Sequence, residues 1–457
     1  MNRVDVAIVG GGPAGSSAAR AAAAAGAEVT VFEKGVPRED REGVGPDSTD
    51  AAGILDYWVD LMGFEPDEIP DELIYQTLDY AEFIGPTERV KIRSTGIPSS
   101  YPHFGFTYDR AGFDDWLRDR AEAVGADYLI GTSVKTVETS TGRKPSHTLT
   151  LGDGDELEAD FLILADGPQR TVTMGVLDQF LPDHRAEDAL GATRANHIAY
   201  QEYRRFPEEL FEAKAIKFWW GYMPGETAYP WIFPNEPTVA RVGLTMPIDL
   251  DLSSVGNRSA YRLLDPADER VPSGRVYLER LLEMEYGDEY SLGDFPLVQD
   301  RGKRDGTETY PISSTRPIDS PTGANIAVTG GAMGATSAFH EGGGHVAIRT
   351  GAIAGGMAAN GSLAGYNDEW KRAIGDEILR NVAMAILVAD YGPDDWDRAF
   401  RVANRFIAAG VEDGISMLRG TRAAGIAGLR IAAGYQWVKF RNRDGRYVQI
   451  REQEYSV

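Results

Sequence analysis

The sequence contains no cysteine. This absence excludes disulfides, thiolate nucleophiles, cysteine-ligated zinc and cysteine-held iron–sulfur clusters within the chain. Histidine is scarce as well, with 6 residues and no His-Glu-x-x-His spacing, so we predict no metal site. No apolar run approaches the roughly 18–20 residues that cross a bilayer, and no secretory signal is visible. We therefore expect a cytoplasmic protein that is soluble or, at most, lies on a membrane.

Lysine is also rare, with nine residues against 37 arginines, and acidic residues outnumber basic ones by 70 to 46. The resulting net charge of −24 repels phosphate backbones, so we expect no nucleic-acid partner. Acid-rich, lysine-poor surfaces suit a salt-saturated cytoplasm, where ions screen the self-repulsion. The composition therefore predicts a halophilic, haloarchaeal source, although an ordinary acidic protein has the same charge sign.

A complete β-turn-α-β unit opens the chain. Residues 4–9 read as a buried strand, 16–25 as an alanine-rich helix and 28–32 as a second strand. The 457 residues are too many for one core and suit two or three domains. We therefore expect an α/β protein with a Rossmann-like nucleotide-binding domain at its start.

The turn of this unit has the spacing Gly-x-Gly-x-x-Gly. Gly10 permits the tight turn, Gly12 lets backbone amides approach a diphosphate, and Gly15 lets helix and strand pack closely. Glu33 ends the second strand 18 residues past the last glycine, which suits a ribose hydroxyl. The pattern predicts a dinucleotide site, and a glycine turn in an unrelated α/β fold is the alternative. The turn also contains Pro13 and Ala14.

The middle of the chain has a different pattern. Aromatic, alternating stretches at 198–203, 216–223, 229–233 and 239–246 predict an antiparallel sheet inserted into the first domain. Residues 325–329 return to a buried strand, and the tail from about 365 is predicted to be helical. We expect three units: a discontinuous nucleotide domain (1–80, 101–180 and 311–360), a substrate-binding sheet (81–100 and 181–310) and a helical region (361–457).

Three segments resemble the geranylgeranyl reductase family of flavoproteins. Residues 108–117 (YDRAGFDDWL) are similar to that family's Asp-Arg-x-x-Phe-Asp-x-x-Leu stretch. Residues 229–234 (YPWIFP) match its Tyr-x-Trp-x-Phe-Pro motif, which lines the prenyl-chain pocket, and residues 366–377 (YNDEWKRAIGDE) resemble its C-terminal helical stretch. The resemblance implies bound FAD held by a dinucleotide fold that returns in the last third of the chain. The family's second flavin turn reads Gly-Asp-Ala, whereas this chain has Gly330-Gly331-Ala332.

On this resemblance, residues beyond the first turn are also predicted to bind FAD. Arg110 offers a charge-assisted donor, with a helix-entry salt bridge as the alternative. Asp166 and Gly167 end a buried strand, and the carboxylate of Asp166 could instead cap a turn. The full predicted set adds Lys34, Val134, Gly330, Gly331, Gly334, Gly342 and Gly343.

Aromatic side chains are the candidates for binding the substrate. Tyr229, Trp231 and Phe233 alternate, so they project to one face of a strand and could form a wall for an apolar chain, or pack a core. Trp219 and Trp220 are adjacent and point to opposite faces, so at most one joins the pocket, and we choose Trp220.

Two further regions have two interpretations each. His340 and Glu341 precede three glycines and are candidate proton donors, unless they only form a turn. Residues 406–440 mix apolar and basic residues, which predicts a helical cap over the substrate domain or an amphipathic pair on lipid.

The resemblance implies a reductase that saturates prenyl double bonds in a lipid or quinone, with electrons from NAD(P)H or ferredoxin. A redox partner protein and peripheral membrane contact are compatible with this prediction. Three alternatives stay open: a flavin monooxygenase, a dehydrogenase of the electron-transfer-flavoprotein type, and a non-enzymatic flavin-binding protein.

Overall fold

The computed structural model describes residues 2–35, 52–190, 196–312, 316–340, 342–408 and 416–457. For residues 416–427 it describes the backbone only. The strands in these ranges are β1 (Asn2–Val9), β2 (Val29–Glu33), β3 (Gly53–Leu55), β4 (Ile74–Leu78), β5 (Tyr80–Ile84), β6 (Arg89–Ile92), β7 (Gly105–Tyr108), β8 (Asp127–Ile130), β9 (Val134–Ser140), β10 (Ser146–Leu151), β11 (Glu156–Leu164), β12 (His197–Arg205), β13 (Ala215–Trp219), β14 (Tyr229–Pro234), β15 (Val239–Pro247), β16 (Thr307–Ile312) and β17 (Ile326–Val328). The helices are α1 (Pro13–Ala24), α2 (Asp56–Leu61), α3 (Arg110–Glu122), α4 (Thr173–Leu177), α5 (Ala186–Ala189), α6 (Gly274–Tyr286), α7 (Gly344–Ala359), α8 (Tyr366–Val388), α9 (Pro393–Ala408) and α10 (Ser416–Asn442).

The first sheet is the nucleotide-binding layer. Its parallel part runs β8-β2-β1-β11-β17, and the β9–β10 hairpin pairs with the other half of β11. The C-terminal halves of β1 and β11, residues 6–9 and 161–164, are continuously apolar and buried, as expected where both faces of a parallel sheet are covered. The last strand of this layer comes from residues 326–328, so the domain is discontinuous, as the sequence predicts.

Helices α1 and α7 pack against each other through glycine. A Cβ on Gly351 would lie 2.0 Å from the carbonyl oxygen of Ala14, and one on Gly355 would lie 2.0 Å from that of Ala18. Only residues without a side chain allow backbones to approach this closely. The start of the chain and its last third are thereby joined beside the glycine-rich turn.

The second sheet has the strand order β16-β12-β15-β14-β13-β5-β6. All its pairs are antiparallel except β5 with β13, which run parallel. The four strands predicted between 198 and 246 correspond to β12–β15, and α6 buries Tyr277, Leu278, Leu281 and Leu282 against this sheet. The α/β fold class with an inserted antiparallel sheet is confirmed, whereas the domain boundaries stay a prediction.

A small third sheet has the strand order β3-β7-β4, and its strands alternate in sequence with strands of the other two sheets. The pattern favours a helix over 50–61, but its described part becomes helical only at Asp56, because Gly53 and Leu55 pair with Thr107 and Gly105 of β7. Backbone pairing with a distant strand has overridden the local helix preference there. Three long helices, α8, α9 and α10, end the chain, and no described helix is both long and apolar enough to cross a bilayer.

Candidate cofactor and substrate cavity

The turn between β1 and α1 requires its outer glycines. Gly10 has φ +101° and a Cβ there would lie 2.4 Å from the carbonyl oxygen of Ala165, while a Cβ on Gly15 would lie 1.8 Å from that of Gly10. A Cβ on Gly12, in contrast, would have no atom of the described residues within 4 Å. Gly12 is also the N-cap of α1 and offers no side-chain cap. The positive end of α1 therefore faces an open space with its amides available to a diphosphate.

Glu33 lies beside this turn, as its spacing predicts. Its carboxylate accepts hydrogen bonds from the amides of Gly11 and Gly35, both at 2.6 Å. The side chain is half-buried and lines the same cavity as Gly12, with the exposed Lys34 next to it. Glu33 thus joins the end of β2 to the glycine-rich turn at the position where a ribose would follow a diphosphate.

Arg110 and Asp166 both line the cavity and both have protein partners. The buried Arg110 donates from Nε to Asp114 at 2.9 Å, which is the salt bridge given as the alternative. Its contact with FAD stays a prediction. Asp166 accepts from the amides of Val172 and Thr173 at 2.7 and 3.0 Å. Its carboxylate therefore caps the segment that leads into α4, which was the second interpretation. Val134 and Gly167 line the cavity too.

The second glycine-rich turn follows β17. Gly331 lines the cavity, and a Cβ on it would lie 3.1 Å from Cδ of Pro168, so a larger residue requires a shift there. Gly330 and Gly334 have positive φ and shape the turn but are not among the lining residues. The fully buried Arg170, which no sequence motif indicates, donates to the carbonyl of Ala332 at 2.8 Å and supports this turn.

His340 lies where the chain approaches α7. Its ring packs parallel to Trp58 with centroids 5.9 Å apart, and its Nδ1 accepts from the amide of Gly342 at 3.2 Å. Burial lowers the pKa of His340 to about 4, so the ring is neutral at pH 7. Gly342 and Gly343 line the cavity beside it, and Glu341 lies outside the described residues.

The predicted aromatic residues form one wall. Tyr229, Trp231 and Phe233 of β14 all line the cavity, as does Trp220, whose ring stacks on Tyr229 at 4.3 Å. Trp219 points the other way and its indole nitrogen donates to Glu285 at 3.0 Å. Four more aromatic side chains, which the sequence pattern does not single out, belong to this wall, namely Phe83, Phe104, Phe218 and Phe339.

A glycine makes room for this wall. Gly243 of β15 pairs directly with Trp231, and a Cβ on Gly243 would lie 2.4 Å from the indole ring. The indole therefore lies across the bare backbone of the neighbouring strand. The hydroxyl of Tyr229 donates to the carbonyl of His340 at 2.7 Å, which ties the wall to the loop before α7.

A cluster of one glutamate, one histidine and one arginine beside the cavity was not predicted. Glu377 of α8 lines the cavity and contacts Nε2 of His345 at 2.5 Å and the guanidinium of Arg349 at 3.3 Å. Burial raises the pKa of Glu377, but the hydrogen bond from His345 and the nearby cations outweigh it and hold that pKa below its ordinary value. The ring of His345 stacks on Trp58 at 4.5 Å. Glu377 is the last residue of the segment 366–377, which resembles the family's C-terminal stretch. This resemblance was the feature of the sequence that could have identified Glu377 as a site residue.

These surfaces enclose one continuous cavity of about 1220 Å³. It extends from the glycine-rich turn past the aromatic wall to α8, α9 and α10, whose contributions include Met384, Leu387, Phe406, Ile431 and Tyr435. This volume exceeds the roughly 300–1,000 Å³ of usual small-molecule pockets. The open space at Gly12, the helix end that faces it and Glu33 fit an FAD, and the remaining apolar space fits a second, hydrocarbon ligand.

Parts of this chain match the descriptions of two protein families, and known reductases are similar to it in sequence. The family description "FAD dependent oxidoreductase" matches residues 5–61, and "tryptophan halogenase" matches residues 49–201. Digeranylgeranylglycerophospholipid reductase 1 of Methanosphaera stadtmanae is 25% identical over 276 residues, which are 60% of this chain and 60% of that protein. Digeranylgeranylglycerophospholipid reductase 2 of Methanopyrus kandleri is 27% identical over 389 residues, which are 81% and 83% of the two chains. The match to the first of these relatives thus spans about three fifths of its own length.

Solved structures share the fold. A geranylgeranyl bacteriochlorophyll reductase-like protein from Thermoplasma acidophilum superposes with a TM-score of 0.67, at 20% identity, over 97% of this chain and 99% of that one. A myxobacterial chondrochloren halogenase superposes with a TM-score of 0.57, at 18% identity, over 95% and 98%. The architecture is therefore that of an FAD-dependent oxidoreductase.

Proposed function

Because the chain is a homologue of the geranylgeranyl reductases and has an FAD-dependent oxidoreductase domain, we propose that it saturates carbon–carbon double bonds of a prenyl chain in a lipid or quinone. One observation carries the proposal. Among the residues that the structure describes, the dinucleotide turn and the aromatic wall of β14 line the same cavity. An apolar chain can thus lie directly beside the cofactor.

We assign the cofactor's diphosphate to the amides around Gly12 at the end of α1, and its ribose to Glu33. Arg110 and the turns at Gly167, Gly331 and Gly343 would contact the rest of the FAD. A bound, reduced FAD would supply hydride chemistry at one carbon of an alkene, and the protein would have to provide a proton for the other carbon.

The aromatic wall positions the substrate and excludes water. Tyr229, Trp231 and Phe233 are each at most 6% exposed, so they present rigid apolar surface with little conformational entropy to lose. An isolated alkene is weakly reactive. These side chains would contribute by holding it in a fixed position in a cavity that excludes water.

For the proton we propose the pair His345–Glu377. A contact of 2.5 Å lets one proton be held between the imidazole and the carboxylate, and Glu377 borders the cavity. His340 stays a second candidate, but it is neutral at pH 7 and its Nδ1 is occupied, so it can donate only from Nε2.

The electron donor is proposed to be NAD(P)H or ferredoxin. The sequence has a single full dinucleotide fingerprint, which is used for FAD. A nicotinamide would then bind without its own domain, or a separate redox protein would deliver the electrons.

Anaerobic reoxidation tests the proposal. Protein loaded with FAD and reduced with dithionite should regain its oxidised absorption spectrum when a geranylgeranyl lipid is added, and the lipid should gain two hydrogens per reduced bond by mass spectrometry. The fully saturated lipid is the matched control and should leave the flavin reduced. Reduced flavin that persists with both lipids would reject the reductase.

A flavin monooxygenase remains the second candidate, because the tryptophan halogenase description matches residues 49–201. Such an enzyme would consume oxygen in proportion to the substrate that it modifies. Oxygen uptake during turnover with NAD(P)H, together with a mass gain of one oxygen rather than two hydrogens, would favour that function.

A further inference from the structure

The outer face of α10 presents apolar side chains that the described part of the chain leaves uncovered. Leu429, Trp437 and Phe440 are 54%, 61% and 48% exposed. They are spaced, with Ala433, by three or four residues, so they share one face of the helix. We call these four residues the α10 stripe. A tryptophan exposed to this degree is unusual for a side chain that prefers burial.

The segment that contains this stripe is rich in basic residues. Residues 414–443 contain six basic and no acidic residues in a chain whose net charge is −24, namely Arg419, Arg422, Arg430, Lys439, Arg441 and Arg443. The guanidinium of Arg443 lies 4.0 Å from the centre of the Phe440 ring and is paired with the carboxylate of Asp444 at 3.3 Å. Arg430 and Arg441 are exposed and form no ion pair with another residue that the structure describes.

The opposite face of the same helix borders the cavity. Ile431, Ala432 and Tyr435 are among its lining residues, and Gly434 packs near Leu387 of α8. α10 therefore separates the apolar cavity from the exterior, with one face on each side. The described part of the segment 406–440 caps the cavity and also has an amphipathic outer face, while its contact with lipid stays a prediction.

We propose that the α10 stripe docks the protein on a bilayer surface that contains anionic lipids. Aromatic and aliphatic side chains on one helix face, flanked by arginine and lysine, are the pattern that lies in the headgroup region. The cations then meet anionic headgroups, while the acidic remainder of the surface stays in water. The proposal deepens the proposed function and rests on it in one respect, namely that the same membrane supplies the prenyl substrate.

A second copy of the chain suits this surface less well. A two-fold contact through α10 would place the cations of both copies against each other. A contact between α10 and an acidic face elsewhere would be head-to-tail and would build a ring or an open filament rather than a two-fold dimer. A membrane with anionic lipids can bury the apolar stripe and also bind the cations through its headgroups.

Vesicle sedimentation tests the docking. Full-length, FAD-loaded protein is mixed with vesicles of phosphatidylcholine alone or with about one third phosphatidylglycerol, at a single salt concentration in which the protein is folded. We expect binding to the anionic vesicles. The variant with Trp437→Ser and Phe440→Ser should bind at least tenfold more weakly, and Arg430→Gln with Arg441→Gln should reduce the preference for anionic vesicles.

Ile248→Ser is the matched control, because Ile248 is 47% exposed and lies outside α10. This variant should bind as the unaltered protein does. Equal sedimentation of the stripe variant and the unaltered protein, or no binding to either vesicle, would overturn the proposal. A dimer in light scattering that the stripe substitutions convert to a monomer, without vesicle binding, would assign the stripe to a second copy instead.

Reductase activity on detergent-dispersed prenyl lipid separates this proposal from the proposed function. Activity in detergent without vesicle binding would remove the docking and keep the reductase. Stripe-dependent vesicle binding in a protein that reduces no prenyl lipid would keep the docking and remove the reductase.

Discussion

Gly12 is the residue at which a side chain and the cofactor would compete for the same space. Because nothing lies within 4 Å of its Cβ position, Gly12→Ala should leave the melting temperature of the FAD-free protein unchanged within about 1–2 °C. FAD affinity should fall at least tenfold, as measured by flavin fluorescence. Gly142→Ala, at another open glycine, should change neither quantity. Unaltered FAD binding in Gly12→Ala would show that the diphosphate lies elsewhere.

Glu377 is the residue that tests proton delivery. Glu377→Gln removes the carboxylate that would share the proton with His345 and retains the shape, so FAD content and flavin spectrum should stay the same while reoxidation by prenyl lipid slows by about 10²–10⁴-fold. The pH dependence of that rate should also flatten. Asp376→Asn, at the exposed neighbouring position on α8, is the control and should retain the rate. A normal rate and pH profile in Glu377→Gln would exclude the pair His345–Glu377.

His147 makes stability depend on pH. Burial lowers its pKa to about 4 in the folded state, so below pH 6.5 the unfolded chain binds a proton that the folded chain excludes. Its contribution to stability is therefore present at pH 7 and lost as pH falls from 6.5 towards 4, by about 2 kcal/mol between pH 7 and pH 5. Urea unfolding at the two pH values should show a smaller difference in His147→Gln, and the exposed His103→Gln should keep the full difference.

At the scale of single residues, the sequence predicts the site residues that lie together in one short segment. Gly10, Gly12 and Gly15 share one turn, and Tyr229, Trp231 and Phe233 share one strand, so spacing alone brings each set together. The pair His345–Glu377 joins two helices, 32 residues apart, and depends on how α7 packs on α8. The spacing of apolar residues within one helix does not show which residues of two different helices will meet.

Among the elements, the contact of α1 with α7 allows the sharpest test. Gly355→Ala would place a methyl group 2.0 Å from the carbonyl of Ala18, so we expect a loss of about 1–3 kcal/mol or more in unfolding free energy, and reduced FAD content. At Gly356, one position along, nothing lies within 4 Å, and Gly356→Ala should stabilise α7 by about 0.5–1 kcal/mol. Thermal unfolding of both variants measures this contrast. A Gly355→Ala protein as stable as Gly356→Ala would contradict the close packing.

Elements with a strong internal pattern were predictable, and elements that depend on distant partners were not. The alternation in β12–β15 gives their positions within a few residues. β3 is three residues long and exists because β7 pairs with it, and β5 lies beside β13 through a parallel contact between residues 135 apart. The resemblance to the geranylgeranyl reductases, which is confirmed, adds the overall layout that periodicity does not contain.

For the whole molecule, the net charge of −24 predicts stability that rises with salt. Screening shortens the range of the self-repulsion from about 10 Å at 0.1 M to about 3 Å at 1 M salt. The melting temperature should therefore increase by roughly 10 °C or more between these concentrations of KCl. A melting temperature that is independent of KCl in this range would argue against a halophilic protein.

The glycine contact between α1 and α7 also sets an order of events during synthesis. The glycine-rich turn is complete by residue 15, yet the helix that packs against α1 ends at residue 359. Pairing of segments this far apart is slow, and it waits until most of the chain has left the ribosome. We therefore expect the nascent chain to hold this turn unsupported while the entire second sheet is made, so that any FAD would bind late, when α7 arrives.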